Sequence, residues 1–524
     1  MRLNWLKISN YRNLKDFFIN FNEQQPTTIL LGHNGTGKSN LIEAIVEIFR
    51  ELELGNSPPF AYSMQYVCRQ KTILIDADPA RKSKRLGITA NGRPVAQNAF
   101  QNDLANYLPN YIFAYYSGWN SRLERHFDAP TRRYYDRILN SGNHEMPLRR
   151  MFFCRKEYSQ LVLLAFFLAE SNSARHFLSK YLKIRHFDSS LFILKRPWWR
   201  RHVMALDPLE DEHFWYARGA FTVFLDRLWQ RSLAPIHNYE SIERDVRRQG
   251  ERTERLYLYI KNATELDGLR HSDEDSKTFF GYLESLFLCD LIDEVRITVE
   301  KMDGTRIKFA QLSEGEQQLL TVLGLLLFTQ NDESLYLLDE PDTHLNPVWT
   351  YDFLKLLQEN IRAEKGQLIV ATHNPLMIGS LHKNQVRILA QNERGITAAK
   401  PEYDPRGIGI EGLLKSELYG LRSTLPPEIL NKLDRHYLLL GKSDKSNAEQ
   451  AELMLLANQL NDLGIARTHP NPYFEQFANA MAKRTPTPEK TLTKEDIAAQ
   501  ARLADEVIAE ILIEEKEEGA NRPA

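Results

Sequence analysis

The 524-residue sequence has few cysteines and no long apolar run. Its three cysteines, Cys68, Cys154 and Cys289, are far apart, so they predict neither a disulfide framework nor a CxxC metal pair. This usage is typical of the reducing cytoplasm, where we expect the protein to be located. Apolar stretches of about 18 residues are absent, so no transmembrane helix and no membrane partner are expected. The opening residues also lack the apolar core of a signal peptide.

No charge of one sign dominates the chain, which has 67 Lys and Arg against 69 Asp and Glu. The formal net charge of −2 does not identify a partner, because local patches are hidden inside a neutral sum. Apolar residues at 43% and charged residues at 26% are ordinary for a globular protein, and the length predicts several domains. The function therefore has to be inferred from motifs.

A glycine-rich segment near the N-terminus, ILLGHNGTGKSN, has the spacing of a phosphate-binding loop. The apolar residues before it predict a strand, and SNLIEAIVEIFREL after it predicts an amphipathic helix. In this context backbone N–H groups and the helix N-terminus surround phosphate oxygens. Lys38 is then expected to reach the β- and γ-phosphates of ATP, and Ser39 to bind Mg²⁺. The other expected nucleotide contacts are Asn34, Gly35, Thr36, Gly37 and Asn40.

A second segment, SLYLLDEPDTHLNP, predicts a short buried strand that ends in two adjacent carboxylates. Neighbouring residues of a strand point in opposite directions, so Asp339 can hold Mg²⁺ while Glu340 faces the attacking water. This division suits phosphoryl transfer, in which positioning and charge neutralisation supply most of the catalysis. A strand that simply ends at the surface has the same pattern, so the pair alone leaves both interpretations open.

Two further segments stand on either side of the carboxylates. QLSEGEQQLLTVLGLLLF predicts a helix whose first turn contains Ser313 and Gly315, and QLIVATHNPLM predicts a buried strand that ends near His373. The pattern SEGE is also typical of a capped helix without a ligand. A histidine at a strand end is usually structural. The order of all four segments, rather than any one of them, favours a nucleotide site.

Together these segments resemble the heads of ABC-class ATPases of the RecF, SMC and OLD type. The resemblance implies an α/β fold: an ABC-type head with a two-lobed mixed sheet, a large helical insertion and a helical C-terminal extension. It implies that His373 acts with Glu340 in catalysis. It also implies that Ser313 and Gly315 contact ATP bound to a second copy, in head-to-head dimers or larger assemblies. These families have an N-[FY]-R stretch beside the phosphates, so Arg12 is carried over as a phosphate contact.

Three details bear on how the site would close. The signature, usually LSGGQ, has Glu314 instead of its first glycine and Glu316 instead of glutamine, which adds negative charge near a phosphate. Asp342 and Asn346 are expected in a D-loop that touches the partner head. The glutamine that usually contacts magnesium between the two lobes has no counterpart, because NYIFAYYSGWN contains none.

The motifs divide the chain into four predicted segments: ATPase lobe I (1–118), a helical insertion (119–290), ATPase lobe II (291–400) and a helical C-terminal region (401–524). Sustained heptads are absent from the insertion, so a long coiled coil is not expected. Residues 119–262 contain 26 Lys and Arg against 17 Asp and Glu. The clusters RRYYDR, KRPWWRRH and RDVRRQGERTER combine stacking surfaces with cations, which suits nucleic acid. A solvated or subunit-facing basic surface is the alternative.

The segment DPRGIGIEGLLKSELYGLRSTLPPE resembles Septu-type (PtuA-like) anti-phage ATPases, including retron-associated versions. The resemblance implies an ATPase subunit that controls a separate HNH nuclease, with a reverse transcriptase and RNA-linked DNA as further partners in retron systems. No acidic set resembles an OLD nuclease domain, and His469 lacks the second histidine of an HNH motif, so no intrinsic nuclease activity is expected. The alternatives are a RecF-like repair or replication ATPase and a nucleotide-bound scaffold with little turnover.

Overall fold

The computed structural model describes most of the first 463 residues. The described residues are 1–463, 481, 484, 495, 498–500 and 502–510, apart from 22–23, 119, 141–147, 170–171, 198–211, 218, 220, 243–250, 331, 394 and 443. The chain forms two compact units, Met1–Met377 with Asn384–Lys400 and Ile378–Lys383 with Pro401–Ala524. Within the described residues, no helix combines the length and the apolar character that crossing a membrane requires.

The strands of the described residues are β1 (Arg2–Tyr11), β2 (Leu14–Asn20), β3 (Thr27–Leu31), β4 (Tyr62–Cys68), β5 (Lys71–Ala77), β6 (Leu86–Ala90), β7 (Arg93–Pro94), β8 (Tyr111–Tyr116), β9 (Met151–Phe153), β10 (Ile184–Lys195), β11 (Leu233–Ile242), β12 (Glu251–Ile260), β13 (Ile292–Lys301), β14 (Arg306–Lys308), β15 (Ser334–Asp339), β16 (Gly366–Ala371), β17 (Val386–Asn392) and β18 (Gly395–Ala399). The α-helices are α1 (Lys38–Leu54), α2 (Gln97–Asn102), α3 (Leu104–Tyr107), α4 (Asp128–Asn140), α5 (Tyr158–Phe167), α6 (Asn172–Lys180), α7 (Thr222–Arg231), α8 (Ala263–Asp267), α9 (Ser276–Leu288), α10 (Glu314–Thr329), α11 (Pro347–Glu359), α12 (Pro375–Ile378), α13 (Gly409–Lys415), α14 (Pro427–Gly441) and α15 (Asn447–Asp462).

The central sheet of the first unit has the order β18-β17-β3-β16-β15-β8-β9. All its pairs are parallel except β17 with β18. β3, β15 and β16 are buried along their whole lengths, as expected of strands covered on both faces. Because these three strands run in the same direction, their carboxyl ends meet at one edge of the sheet. The phosphate loop and the paired carboxylates follow β3 and β15 at this edge.

A second sheet, built from strands near the N-terminus, is antiparallel and has the order β2-β1-β4-β5-β6-β7. Its strands β1 and β2 form the hairpin that alternating residues predict, with Arg12 and Asn13 in the turn. One hydrophobic core joins this sheet, α1 and the central sheet. Among its members are Leu6, Phe17, Ile42, Phe49, Leu337 and Ile369. This packing fixes α1, and therefore the phosphate loop, against both sheets.

Residues 119–290 contain strands as well as the predicted helices. The strands β10, β11 and β12 join β13 and β14 in an antiparallel sheet of order β11-β12-β10-β13-β14. The helices α5 to α7 lie where helical periodicity predicts them, and their aromatic residues are largely buried. β10 was missed because its buried stretch LFILK lacks the alternation that marks a half-buried strand. The finer boundaries at 118 and 290 stay predictions. The mixed α/β class with several sheets and many helices is confirmed.

The described part of the second unit is helical, as predicted. α14 and α15 form a helical hairpin, in which Arg435 on α14 lies 2.8 Å from the Glu452 carboxylate on α15. Ser446 caps α15 by accepting a hydrogen bond from the Glu449 N–H. His469, which was considered as a fragment of a nuclease motif, lies outside the described residues.

The contact between α5 and α10 gives a test of the packing. A Cβ added at Gly324 on α10 would lie closer to the Val162 Cγ1 on α5 than the 3.0 Å that real Cβ atoms keep. Gly324→Ala should therefore destabilise the unit by about 1–3 kcal/mol through overpacking, exceeding the roughly 1 kcal/mol gain in helix propensity. The thermal unfolding midpoint should fall. Adding Val162→Ala should restore part of the loss; a midpoint that rises in Gly324→Ala alone would contradict this packing.

Candidate nucleotide-binding site

The phosphate loop connects β3 to α1 at the carboxyl edge of the central sheet. A Cβ at Gly32 would collide with the Leu389 carbonyl oxygen, and Gly37 has a φ of 90° in the left-handed region. The Thr36 hydroxyl donates a hydrogen bond to the His33 carbonyl oxygen at 2.8 Å and closes a turn between them. Asn34 and Gly35 are exposed at the tip of this turn. The backbone therefore has the curled form that a phosphate loop needs.

Lys38 is buried, and its Nζ donates to the Gly32 carbonyl oxygen at 2.7 Å. Burial lowers the pKa of Lys38, while the carboxylates of Glu340 and Asp339 oppose this shift. The neighbouring Ser39 hydroxyl donates to the Asp339 carboxylate. The structure thus brings together the lysine, the serine and both carboxylates that were predicted from segments 300 residues apart in the sequence.

Asp339 is the last residue of β15, and its side chain is buried. Burial raises the pKa of Asp339 to about 6, Glu340 adds to the increase, and Ser39, Lys38 and Arg122 oppose it. Its Oδ1 atom has no hydrogen-bond partner among the described residues. A hydroxyl and a carboxylate are the hard oxygen ligands that Mg²⁺ prefers. In the described part of the chain, no group of three His, Cys, Asp or Glu side chains is arranged to hold a metal ion, so Ser39 and Asp339 would need further oxygen ligands to hold Mg²⁺.

Glu340 follows the strand in a left-handed backbone conformation, with φ 53°. Its N–H donates to the Ala371 carbonyl oxygen at 2.8 Å, which ties it to the end of β16. Its Oε2 lies 2.7 Å from the Nδ1 of His373, and the His373 side chain is exposed. Non-glycine residues in this conformation often mark functional positions. The two predicted catalytic side chains therefore contact each other.

The tip of the β1–β2 hairpin contacts the phosphate loop through a residue that the motifs did not identify. The Asn13 Nδ2 donates to the Gly35 carbonyl oxygen at 2.7 Å, and the Asn40 Nδ2 donates to the Asn13 Oδ1 at 2.6 Å. Asn13 follows directly after the N-Y-R stretch, and this position is its only signal in the sequence. Asn40 thus positions the hairpin, which extends its predicted role as a nucleotide contact.

A buried carboxylate on α1, Glu43, contacts two arginines and a histidine from two parts of the chain. Arg12 forms an ion pair with it, Arg122 Nε lies 2.8 Å from its Oε2, and His126 Nε2 lies 2.8 Å from its Oε1. Arg122 also donates to the Asn40 Oδ1 at 2.8 Å. The guanidinium of Arg12 is therefore engaged beside the loop, and its phosphate contact stays a prediction. Arg122 belongs to the segment assigned to the insertion, so sequence segmentation alone missed it.

The signature segment forms the first turn of α10. Ser313 accepts a hydrogen bond from the Glu316 N–H at 3.2 Å, and the Glu316 carboxylate accepts one from the Ser313 N–H at 2.8 Å. A Cβ at Gly315 would lie 2.6 Å from the His344 carbonyl oxygen, so glycine allows the D-loop to approach the helix. The described hydrogen bonds of Ser313 stay within its own helix, and its contact with a second copy's ATP stays a prediction.

The predicted D-loop residues are engaged within the chain. Asp342 is buried and accepts a hydrogen bond from the Thr372 hydroxyl at 3.0 Å. The Asn346 side chain caps α11 by accepting from the Trp349 N–H at 2.9 Å. His344, between them, is exposed. His344 is therefore the better placed side chain for a contact with a partner.

A lysine and a histidine lie near the extra negative charge of Glu314. Lys156 Nζ lies 3.2 Å from the Glu314 Oε1, and His344 Nδ1 lies 3.9 Å from its Oε2. These three residues line a cavity of about 440 Å³ together with Ser117. Ser117 follows β8, the strand beside β15, and its hydroxyl lies 2.9 Å from that of Thr343. A serine thus occupies the region where the resemblance places the magnesium-contacting glutamine.

The structure describes the three basic clusters to different extents. In KRPWWRRH residues 198–202, and in RDVRRQGERTER residues 244–250, lie outside the described residues. Arg255 is engaged with the carboxylates of Glu240 and Asp293. In RRYYDR, on α4, Arg132, Arg133 and Arg137 are exposed. Only this last cluster offers a described set of accessible cations.

Comparisons with known proteins agree with this site. The model "AAA ATPase domain" matches residues 1–91, which contain the phosphate loop. The model "AAA domain, putative AbiEii toxin, Type IV TA system" matches residues 170–379, which contain the signature, the paired carboxylates and His373. The two distant segments that form the candidate nucleotide site thus both match models of AAA domains.

Two curated relatives and one solved structure are similar to parts of this chain. The chain is 32% identical over 205 residues to the Septu protein PtuA of Bacillus mycoides (strain KBAB4), covering 36% of this chain and 28% of that protein. It is 27% identical over 135 residues to the "Retron Vc95 probable ATPase" of Vibrio cholerae serotype O1 biovar El Tor, covering 22% and 26%. The SMC head domain from Thermotoga maritima matches with a TM-score of 0.32 and 15% identity, over 77% of this chain and 100% of that one. The chain is thus similar to parts of Septu PtuA and of the retron ATPase, and it spans less than a third of the length of these two curated relatives.

The raised pKa of Asp339 predicts that the stability of the protein depends on pH when magnesium and nucleotide are left out of the solution. The pKa of Asp339, ordinarily 3.8, is raised to about 6, so the folded chain holds the proton more tightly than the unfolded chain does. The stabilisation from this proton is complete below pH 4 and is lost as the pH rises through 6. At pH 8, Asp339→Asn should therefore raise the free energy of unfolding by about 2–3 kcal/mol. Urea unfolding with EDTA should show no such gain at pH 4; an equal gain at both pH values would contradict it.

Proposed function

We propose that this protein is the ATP-binding and ATP-hydrolysing subunit of a prokaryotic anti-phage defence complex. The observation that carries the proposal is the convergence of Lys38, Ser39, Asp339 and Glu340 at one edge of the central sheet. Similarity to a Septu protein and to a retron ATPase supports the defence role. A RecF-like repair ATPase has the same site chemistry, and the two are separated by the partners that purify with the chain.

Each residue of the site has a separate task in this proposal. Lys38 exchanges its bond to the Gly32 carbonyl for phosphate oxygens and offsets their charge. Ser39 and Asp339 hold Mg²⁺, which supplies further charge neutralisation when it is bound. Glu340 orients and deprotonates the attacking water, and His373, 2.7 Å from Glu340, contacts the γ-phosphate.

The complete site requires a second copy in this proposal. Ser313 and Gly315 lie at the N-terminus of α10, whose positive end suits an anion. Contact with the triphosphate on a second head would link ATP binding to head-to-head pairing. The nuclease step is assigned to a separate HNH subunit by the Septu resemblance. In a retron setting the partners would include a reverse transcriptase and its RNA-linked DNA.

Glu340→Gln tests the enzyme against the low-turnover scaffold. Removing the base should reduce ATP hydrolysis at least about 100-fold, while ATP affinity stays within a few fold, since Lys38 and Ser39 remain. Phosphate release and equilibrium ATP binding measure the two effects. Glu359→Gln on α11 is a matched control and should leave both unchanged. If the native protein hydrolyses ATP as slowly as the Glu340→Gln variant does, the result would favour the low-turnover scaffold.

The same trapped variant tests the assembly and the partner. Expressed with its genomic neighbours and held with ATP, it should purify as an even number of copies together with an HNH protein. The mass of the intact complex gives the number of copies of this chain and of the HNH protein. Replication proteins in place of the nuclease would favour the RecF-like alternative.

The Lys156–Glu314 contact predicts a charge-specific effect on ATP-dependent pairing. Both side chains are about two-thirds exposed, so their pair adds little to stability, roughly 0–1 kcal/mol. Lys156→Glu would place a second negative charge beside the incoming triphosphate, and association should weaken roughly tenfold. The swap of Lys156→Glu with Glu314→Lys should recover most of the loss. Sedimentation with ATP measures both; a swap no better than Lys156→Glu alone would show that the pair does not act through charge.

A further inference from the structure

A second cavity in the first unit is built from arginines and lies away from the nucleotide site. Its volume is about 490 Å³, and its walls come from the end of α1, from α4 and from the segment that leads into β9. Among the described residues that line it, four are arginines and one, Glu53, is a carboxylate. Glu53 lies near the opposite end of α1 from Lys38, roughly 23 Å along the helix axis. The nucleotide site does not contribute any of the lining residues.

Not all four arginines are available to a ligand. Arg149 is buried, and its guanidinium is engaged by Glu284, Thr131 and Tyr158. It therefore serves the core rather than the cavity. The remaining cations are Arg133, Arg137 and Arg150.

These three arginines face one carboxylate, which leaves two positive charges in excess. Arg133 Nη1 donates to the Glu53 carbonyl oxygen at 3.0 Å, and Arg150 Nε lies 4.0 Å from the Glu53 carboxylate. Arg137 is exposed and has no hydrogen-bond or ion-pair partner among the described residues. Burial lowers the pKa of Arg150, and Glu53 only partly opposes this. Arg150 also donates to the Pro109 carbonyl oxygen. A guanidinium has five N–H donors, so the contacts among the described residues use only some of the donors of these three side chains.

We infer that this cavity binds the phosphate group of a phosphate-bearing ligand through Arg133, Arg137 and Arg150. Planar guanidinium groups bind phosphate with paired, charge-assisted hydrogen bonds, and a dianionic phosphate monoester matches an excess of two positive charges. The volume is within the usual range for small-molecule sites, so a terminal phosphate with part of its nucleoside fits. The source is either free phosphate or the 5′ end of a nucleic-acid strand. This inference does not depend on the proposed ATPase function.

The test uses the full chain with the phosphate loop filled by a non-hydrolysable ATP analogue and Mg²⁺. The probes are inorganic phosphate and one short oligonucleotide in 5′-phosphorylated and 5′-hydroxyl forms. Binding of the phosphorylated strand, but not of its hydroxyl form, supports a strand end. Binding of inorganic phosphate supports a free source. Equal binding of the two strands, or no binding of any probe by the native chain, would overturn the inference.

Variants distinguish binding of the probe in the cavity from nonspecific electrostatic attraction to the protein surface. Arg133→Ala with Arg137→Ala should raise the Kd for the phosphorylated probe about tenfold or more. Arg132→Ala is the matched control, because Arg132 is exposed on the same helix but does not line the cavity, and it should change the Kd less than twofold. Glu53→Gln should tighten binding, a change that misfolding does not produce. An equal loss in the Arg132 control, or weaker binding in Glu53→Gln, would overturn the proposal.

Discussion

Charge burial at the carboxyl edge of the central sheet is the constraint on which the nucleotide site depends. Lys38 and Asp339 are both buried, and burial shifts their pKa values in opposite directions, toward the neutral form of each. Protein partners satisfy them only in part: the Gly32 carbonyl accepts from the lysine, and Asp339 Oδ1 lacks a partner in the described chain. In the proposed function, a magnesium-bound triphosphate would supply the charges that both groups lack. Under that proposal the site would favour this ligand before any contact from a second copy is considered.

The buried carboxylate of Glu43 holds together the segments that surround the phosphate loop. Arg12 from the hairpin turn and Arg122 with His126 from the chain after β8 converge on this one side chain of α1. A buried carboxylate is costly unless cations and donors surround it, so these segments are held against α1. Asn40 links the same segments again through Asn13 and Arg122. The phosphate loop is thus supported from both sides by parts of the chain that no local motif connects.

This arrangement also explains how far the sequence could predict the structure. β3, α1, β15 and β16 follow from local patterns, because their apolar runs and glycines are contiguous in the chain. Asn13 and Arg122 could not be recognised in this way, since their importance comes from contacts across 27 and 82 residues. The burial of Asp342 depends on Thr372, which lies on another strand end. The strand β10 was missed for a similar reason as well, since it pairs with β12 and β13, which lie far from it in the chain.

The helix α1 connects the two anion-binding proposals, and its dipole acts on them in opposite ways. At its N-terminus the helix contributes positive potential to the phosphate loop, so one lysine is enough there. At its C-terminus the helix dipole contributes negative potential and would repel a phosphate. Arg133 donates to the Glu53 carbonyl at that end, and Arg150 lies near the same residue's carboxylate. An anion can therefore approach the C-terminal end only because several arginines outweigh the dipole and Glu53 together, which accounts for the different number of cations at the two ends.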